Sequence, residues 1–216
     1  MSELFSIQLQ NRQQQGRDGV WLDLPTTTEQ VQATLRQIGI SSDNPQGLFI
    51  SGYFAEEEKR FAIPYNMVLA SNVDELNFLA SRLETLSTGE RAELNAALQA
   101  PQSELFSIGR ITDFPENVDY YVHLPDVHGP AQLGDYYLNR SGMVDMPEEW
   151  KGGIDTAQFG RYVAQQEQGA FTQYGYLVKS GDEWQKVHEG QPVPEEYRVL
   201  SFPVPEILRD AANIPP

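Results

Sequence analysis

Apolar residues change their spacing along this chain, and this change constrains the fold more than any other feature of the sequence. In residues 4–10 apolar and polar side chains alternate, which is typical of a β-strand with one buried face. Further along, leucines recur three or four positions apart at Leu76, Leu79, Leu83 and Leu86, which is typical of an amphipathic helix. Strand-like and helix-like stretches are therefore separate, and the sequence predicts an α+β fold.

Three predicted helices begin with side chains suited to capping. A capping box places a Ser or Thr three residues before a Glu or Gln, so that each side chain binds the other residue's backbone N–H. The predicted starts are Thr26 with Glu29, Ser71 with Asp74, and Ser87 with Glu90. The first helix follows a small sheet, and the other two form a helical pair.

The predicted elements group into three small modules. Strands are predicted at residues 4–10, 21–24, 47–54, 119–124, 171–178, 184–187 and 197–202, and later helices at 131–140 and 154–166. The modules are an N-terminal antiparallel sheet with a helix at 1–60, an acidic helical module at 61–118, and an α+β module with a proline-rich tail at 119–216.

Negative charge dominates the composition. The 216 residues include 31 Asp and Glu against 15 Lys and Arg, which gives a net charge of −16. Residues 52–150 alone hold 17 acidic and 6 basic residues. Direct binding to nucleic acid or to an anionic membrane requires positive charge, so we expect neither. An acidic surface that serves only solubility is the alternative.

The sequence offers little for catalysis. It has no cysteine, and none of the common phosphate-binding, dinucleotide-binding, hydrolase or zinc-protease motifs occurs. His123, Asp126 and His128 are close enough in sequence to suggest a metal site, although ordinary loop residues are the favoured interpretation. Residues 56–58 are three adjacent glutamates that fit a solvated turn. We therefore expect no enzyme activity, no cofactor and no metal. An enzyme built on the loop from His123 to His128 ranks third among the functional hypotheses.

The ends and the hydropathy of the chain indicate its compartment. Residues 1–10 lack the basic and long apolar regions of a signal peptide, and no apolar run approaches the length of a membrane span. A cytoplasmic protein is expected.

Distributed carboxylates have one specific use, which is to occupy a site built for DNA. A DNA-binding enzyme presents rows of Lys and Arg to the phosphates, and carboxylates spaced along a surface present a similar potential without base edges. The candidate target-binding residues are Glu56, Glu57, Glu58, Asp74, Glu75, Glu84, Glu90, Glu93, Glu104, Asp113, Glu116, Asp119, Asp126, Asp135, Asp145, Glu148 and Glu149.

Three stretches, in this order, resemble the ArdA antirestriction family. They are residues 19–25 (GVWLDLP) with the strand and loop before them, residues 73–86 beginning VDELNFL, and residues 154–163 (IDTAQFGRYV). The resemblance covers roughly residues 4–178, and residues 179–216 have no counterpart in it.

The resemblance implies an elongated homodimer of three small domains that mimics bent DNA and blocks type I restriction-modification enzymes. It also implies that the protein is encoded on a mobile genetic element and has neither catalytic residues nor cofactors. The alternative is a protein-interaction or regulatory module of a mobile element that binds another basic protein.

Overall fold

The computed structural model describes residues 3–14, 18–41, 46–56 and 60–200, and their contacts divide the chain into two compact units. Unit 1 takes its described residues from Met1–Arg60, Tyr65–Ser81 and Pro192–Pro216. Unit 2 consists of Phe61–Pro64 and Arg82–Gln191. The division into modules at residues 60 and 118 stays a prediction, whereas the α+β class is confirmed by antiparallel sheets accompanied by helices.

Unit 1 contains the first predicted sheet. Strands β1 (Phe5–Asn11), β2 (Val20–Leu24) and β3 (Leu48–Phe54) form an antiparallel sheet in the order β2-β1-β3. Ile7 pairs with Leu22 on one side and with Tyr53 on the other. The alternation in β1 has the expected effect, because Phe5, Ile7 and Leu9 are all buried.

Helix α1 (Thr28–Gln37) contacts β2 and buries Val31 and Leu35 completely. Its capping box lies one residue later than predicted, with Thr27 as the N-cap and Gln30 as the reciprocal partner. Thr26 is instead buried, and its backbone N–H donates to Asn77 Oδ1 at 2.7 Å. A side chain distant in sequence therefore binds the residue that the local pattern had assigned to the cap.

Three helices follow β3: α2 (Tyr65–Leu69), α3 (Val73–Glu84) and α4 (Thr88–Gln99). The predicted capping box at the start of α4 is confirmed, since Ser87 N donates to Glu90 Oε2 at 2.7 Å and Ser87 Oγ accepts from Glu90 N. At α3 the capping residue is Asn72, whose Oδ1 accepts from Glu75 N at 2.9 Å. The predicted cap, Ser71, donates its hydroxyl to the Met67 carbonyl at the end of α2.

The remaining elements of unit 2 include a second sheet. Its helices are α5 (Ile108–Thr112), α6 (Pro130–Asp135), α7 (Glu148–Lys151) and α8 (Thr156–Glu167), and a π-helix at Tyr136–Arg140 continues α6. Strands β4 (Tyr121–Leu124), β5 (Ala170–Thr172) and β6 (Gly175–Lys179) are antiparallel in the order β4-β6-β5. Short 3-10 turns lie at Phe114–Glu116 and Val118–Tyr120 in unit 2, and a further one lies at Glu195–Tyr197 in unit 1.

The predictions for residues 171–202 need correction. The strand predicted at 171–178 is the hairpin of β5 and β6, with Gly175 at a φ of +118° where the chain reverses. The strands predicted at 184–187 and 197–202 are absent from the described residues, and residues 201 and 202 lie outside them. Backbone groups in both segments bind side chains instead of a neighbouring strand.

None of the helices in the described part of the chain is both long and apolar enough to cross a lipid bilayer.

Candidate functional surface

The predicted carboxylates have three kinds of surroundings. Glu57 and Glu58 lie outside the described residues. The exposed residues are Glu56, Asp119, Asp126, Asp145, Glu148 and Glu149. The half-buried residues are Asp74, Glu75, Glu84, Glu90, Glu93, Glu104, Glu116 and Asp135. Asp113 is fully buried. The structure therefore separates a set that the sequence presents as uniform.

Four of the predicted target-binding residues in unit 2 are exposed and have no cationic partner within 4.0 Å among the residues that the structure describes. They are Asp119, Asp126, Asp145 and Glu149. Asp119 lies just before β4 and Asp126 just after it, whereas Glu149 is in the first turn of α7. These side chains offer negative charge and hydrogen-bond acceptors to a cationic partner.

Basic side chains cannot neutralise unit 2, which contains 17 acidic and 8 basic residues. Most of the eight are engaged within the unit. Arg82 pairs with Glu116, Arg140 with Asp135 and Lys151 with Glu148. Arg91 donates to the carbonyls of Leu83 and Leu86. The excess of carboxylates is thus not balanced by free cations nearby.

Glu104 is one of the predicted target-binding residues whose charge is already matched. It accepts from Lys179 Nζ at 2.6 Å and from Arg110 Nη1 at 2.8 Å, while Arg110 also pairs with Glu189 at 3.1 Å. The hydrogen bond from Lys179, more than any other contact, lowers the pKa of Glu104. Arg110 is 8% exposed, and its guanidinium lies 4.4 Å from the centroid of the Phe106 ring. This cluster joins the segment before α5, the end of β6 and the segment around Glu189.

Glu93, on α4, differs from the exposed carboxylates because its surroundings favour the protonated form. Burial, followed by repulsion from Glu90 and Asp119, raises the pKa of Glu93 from 4.5 to about 8. Its Oε1 is buried without a hydrogen-bond partner among the described residues. A carboxyl group with this pKa is mostly neutral at pH 7, so Glu93 contributes little negative charge to the surface.

Asp74 and Asp113 bind backbone N–H groups of this same chain. Asp113 accepts from the backbone of residues 187, 188 and 189 at 3.2, 2.7 and 3.1 Å. Asp74 Oδ1 accepts from Val199 N and Leu200 N at 2.7 and 2.8 Å. The carboxylate of Asp113 is therefore not available to a partner in this structure, which corrects its place among the surface candidates.

The histidine loop does not form a compact donor set in the described residues. His123 Nε2 donates to the carbonyl oxygen of Tyr174 at 2.7 Å, whereas Asp126 and His128 are exposed. The residues that could hold a metal ion are instead Asp113, Glu116 and His188, whose ligand atoms lie within 4.8 Å of one another. Asp113 already accepts three backbone N–H groups and Glu116 already pairs with Arg82. Both carboxylates therefore have partners within the protein without a metal ion.

Sequence reasoning placed the candidate surface before residue 151 and so left out later exposed carboxylates. Examples are Asp182 and Glu183 in unit 2 and Glu196 in unit 1. The local composition gave a weak signal, because residues 151–216 contain nine acidic and six basic residues. Burial, which distinguishes these residues from Asp113, is not visible in composition.

Comparison with known proteins gives this acidic surface a context. A search of curated proteins found no match. A family model described as "Antirestriction protein (ArdA)" matches residues 15–178, which is well over half of the chain and includes β2, β3, the second sheet and helices α1 to α8. The chain belongs to the ArdA antirestriction protein family.

Proposed function

We propose that this protein inhibits type I restriction-modification enzymes as a DNA mimic, its exposed carboxylates occupying the site where the enzyme binds DNA. Antirestriction function follows from membership of the family, which consists of non-catalytic inhibitors of restriction enzymes. The mimicry and the type of target enzyme are the proposal.

The observation that supports mimicry is the unbalanced charge of unit 2. Its 17 acidic residues outnumber its 8 basic ones, and Asp119, Asp126, Asp145 and Glu149 are exposed without a cationic partner among the described residues. Duplex DNA carries about one negative charge per 1.7 Å of axis, and DNA-binding proteins contact these phosphates with Lys and Arg side chains. Because carboxylates lack base edges, they compete for such a site without providing a sequence to read or a bond to cut.

The other properties that we infer are those that resemblance to the family implies. We expect the protein to act as a homodimer without catalysis or cofactor. We also expect it to be encoded on a mobile genetic element and to work in the cytoplasm, where restriction enzymes meet incoming DNA.

Combined neutralisation of the exposed carboxylates tests the proposal. We expect Asp119→Asn, Asp126→Asn, Asp145→Asn and Glu149→Gln each to weaken binding to a type I enzyme by about 0–1 kcal/mol, the value of an exposed ion pair. All four together should weaken it by the sum of the single effects, up to about 4 kcal/mol. Binding is measured by competition with labelled DNA at 50 and 300 mM salt.

Glu93→Gln is the matched control, because it replaces a carboxyl group that is already mostly neutral at pH 7. It should leave the affinity unchanged. Loss of binding from a single surface substitution, or affinity that does not change with salt, would contradict distributed mimicry. Either result would favour a protein-interaction module that binds through a few dominant residues.

A further inference from the structure

Residues 180–200, called here the strap, are held in the fold by side chains. The strap begins after the range that the family model matches, and it contains no β-strand and only one 3-10 turn, at Glu195–Tyr197. A segment with so little regular structure must find other partners for its backbone polar groups. Two pairs of Asp and Asn side chains, one pair in each unit, provide partners for backbone groups of residues 185–189 and 197–200.

The first pair is Asp113 and Asn117 in unit 2. Both carboxylate oxygens of Asp113 are used, because Oδ1 accepts from His188 N while Oδ2 accepts from Val187 N and Glu189 N. Asn117 binds both backbone groups of Gln185, with its Oδ1 accepting from Gln185 N at 2.7 Å and its Nδ2 donating to Gln185 O at 3.0 Å. Asp113 is 0% and Asn117 4% exposed, so these contacts are shielded from water.

The second pair is Asp74 and Asn77 in unit 1. A single oxygen of Asp74, Oδ1, accepts from both Val199 N and Leu200 N. Asn77 Nδ2 donates to the Tyr197 carbonyl at 2.9 Å. Apolar contacts reinforce this pair, since the Tyr197 ring lies 4.6 Å from that of Phe78 and Val199 is only 4% exposed.

We propose that the strap is an integral part of the folded protein, fastened by two latches that open separately, Asp113 with Asn117 and Asp74 with Asn77. The latches share no residue and belong to different units, so opening one leaves the contacts of the other intact. Asp74 and Asp113 are thus positioning residues for the strap. Removing either carboxylate should expose to solvent only those backbone N–H groups of the strap that donate a hydrogen bond to it.

Asp113 accepts hydrogen bonds through both carboxylate oxygens and Asp74 through only one, so substitution by Asn should affect the two latches differently. In Asp113→Asn, one of the two accepting oxygens becomes an NH₂ group that faces a backbone N–H, so the first latch should open. In Asp74→Asn, the single accepting oxygen can be kept, so the second latch should stay closed. Asp74→Ala removes that oxygen and should open it. A general loss of negative charge would not produce this difference.

Hydrogen exchange of the full-length chain, followed amide by amide by NMR, tests the proposal. In Asp113→Asn the amides of residues 187–189 should exchange roughly tenfold faster or more, while Val199 and Leu200 stay protected. In Asp74→Ala the pattern should reverse, and Asp74→Asn should resemble the parent protein. Asp126→Asn, at an exposed carboxylate, is the control and should change neither set.

Several results would overturn the proposal. Strap amides that exchange at unprotected rates in the parent protein would show that the strap is not fastened. Equal effects of Asp74→Asn and Asp74→Ala, or simultaneous opening of both latches in either variant, would also reject it. If Asp113→Asn does not fold, Asn117→Ala tests the same latch, and unchanged exchange at Gln185 would then reject it.

Discussion

Glu149, Glu93 and Asp113 carry the same functional group in three environments. Glu149 is exposed in the first turn of α7, where its charge is free to meet a partner. Glu93 is half-buried, and its pKa of about 8 keeps it largely protonated at pH 7. Asp113 is fully buried and accepts three backbone N–H groups. At the scale of the residue, burial and hydrogen bonding decide whether a carboxylate is exposed to a partner or supports the fold.

Glu93→Gln should change the pH dependence of stability. Because folding raises the pKa of Glu93 from 4.5 to about 8, the folded state binds a proton that the unfolded state has released between these values. The contribution of Glu93 to stability is therefore complete below pH 4.5 and is lost as the pH rises towards 8. Gln does not titrate, so the free energy of unfolding of Glu93→Gln should exceed that of the parent by about 1 kcal/mol at pH 8.5. At pH 4.5 this difference should be smaller.

Urea unfolding of both proteins at the two pH values measures this difference. Glu149→Gln is the control, since it makes the same substitution at an exposed glutamate. A Glu93→Gln curve parallel to that of the parent from pH 4.5 to 8.5 would show that Glu93 is ionised like an ordinary surface carboxylate.

Helices α6 and α8 show how single glycines set the packing of elements. A Cβ on Gly160 would lie 1.8 Å from the Pro130 carbonyl oxygen, and one on Gly134 would lie 1.9 Å from that of Thr156. The two helices therefore meet backbone to backbone beside a cluster formed by Val127, Leu133, Ala164 and Tyr176. Only glycine allows this approach, so a sequence pattern of apolar residues does not reveal how close the helices are.

Gly160→Ala should destabilise unit 2 by about 2–4 kcal/mol, because the added methyl group forces the two backbones apart. Gly152→Ala is the matched control, since a Cβ there meets nothing within 4 Å and the φ of Gly152, −63°, suits alanine. Thermal unfolding of both variants should show a lowered midpoint for Gly160→Ala alone. Equal midpoints would show that the helices are not in such close contact.

The cap of α4 provides a second prediction for an element. Ser87→Ala removes the acceptor for Glu90 N and should cost about 1 kcal/mol, which is typical of a lost N-cap. Thr88→Ala, at the adjacent exposed residue, changes no cap and should stay within about 0.5 kcal/mol of the parent. Urea unfolding followed by circular dichroism measures both, and equal losses would contradict the capping role of Ser87.

At the scale of the whole molecule, the net charge of −16 acts on every association. Two copies of this chain repel one another, whereas a basic target attracts the chain. Salt screens both interactions over a length of about 10 Å at 0.1 M. Dimer formation and target binding should therefore respond to salt in opposite directions.

We expect the dimer to become tighter and the complex with the restriction enzyme to become weaker between 50 and 300 mM salt. Sedimentation equilibrium measures the first and competition with labelled DNA the second. A chain that remains a monomer at every salt concentration would contradict the proposed homodimer, and a target affinity that rises with salt would contradict mimicry.

Local patterns in the sequence determined several secondary-structure elements of this protein and indicated its family. Alternation in residues 4–10 predicted β1, the leucine spacing predicted α3, and Ser87 with Glu90 predicted the start of α4. The order of three short stretches indicated the family, which the matching family model confirms. Each of these signals acts within a few residues of the chain, and so it can be read from sequence.

The tertiary structure alone decided which local patterns prevail. The segments near residues 187 and 199 read as strands, but their N–H groups bind Asp113 and Asp74, which are 74 to 126 positions away in sequence. Asn77 Oδ1 likewise accepts from the backbone N–H of Thr26, and the cap of α1 lies at Thr27. Backbone polar groups that become buried bind whatever acceptor the fold brings close. Such an acceptor is in place only after distant parts of the chain have come together. The same holds for the burial that distinguishes Asp113 from Glu149.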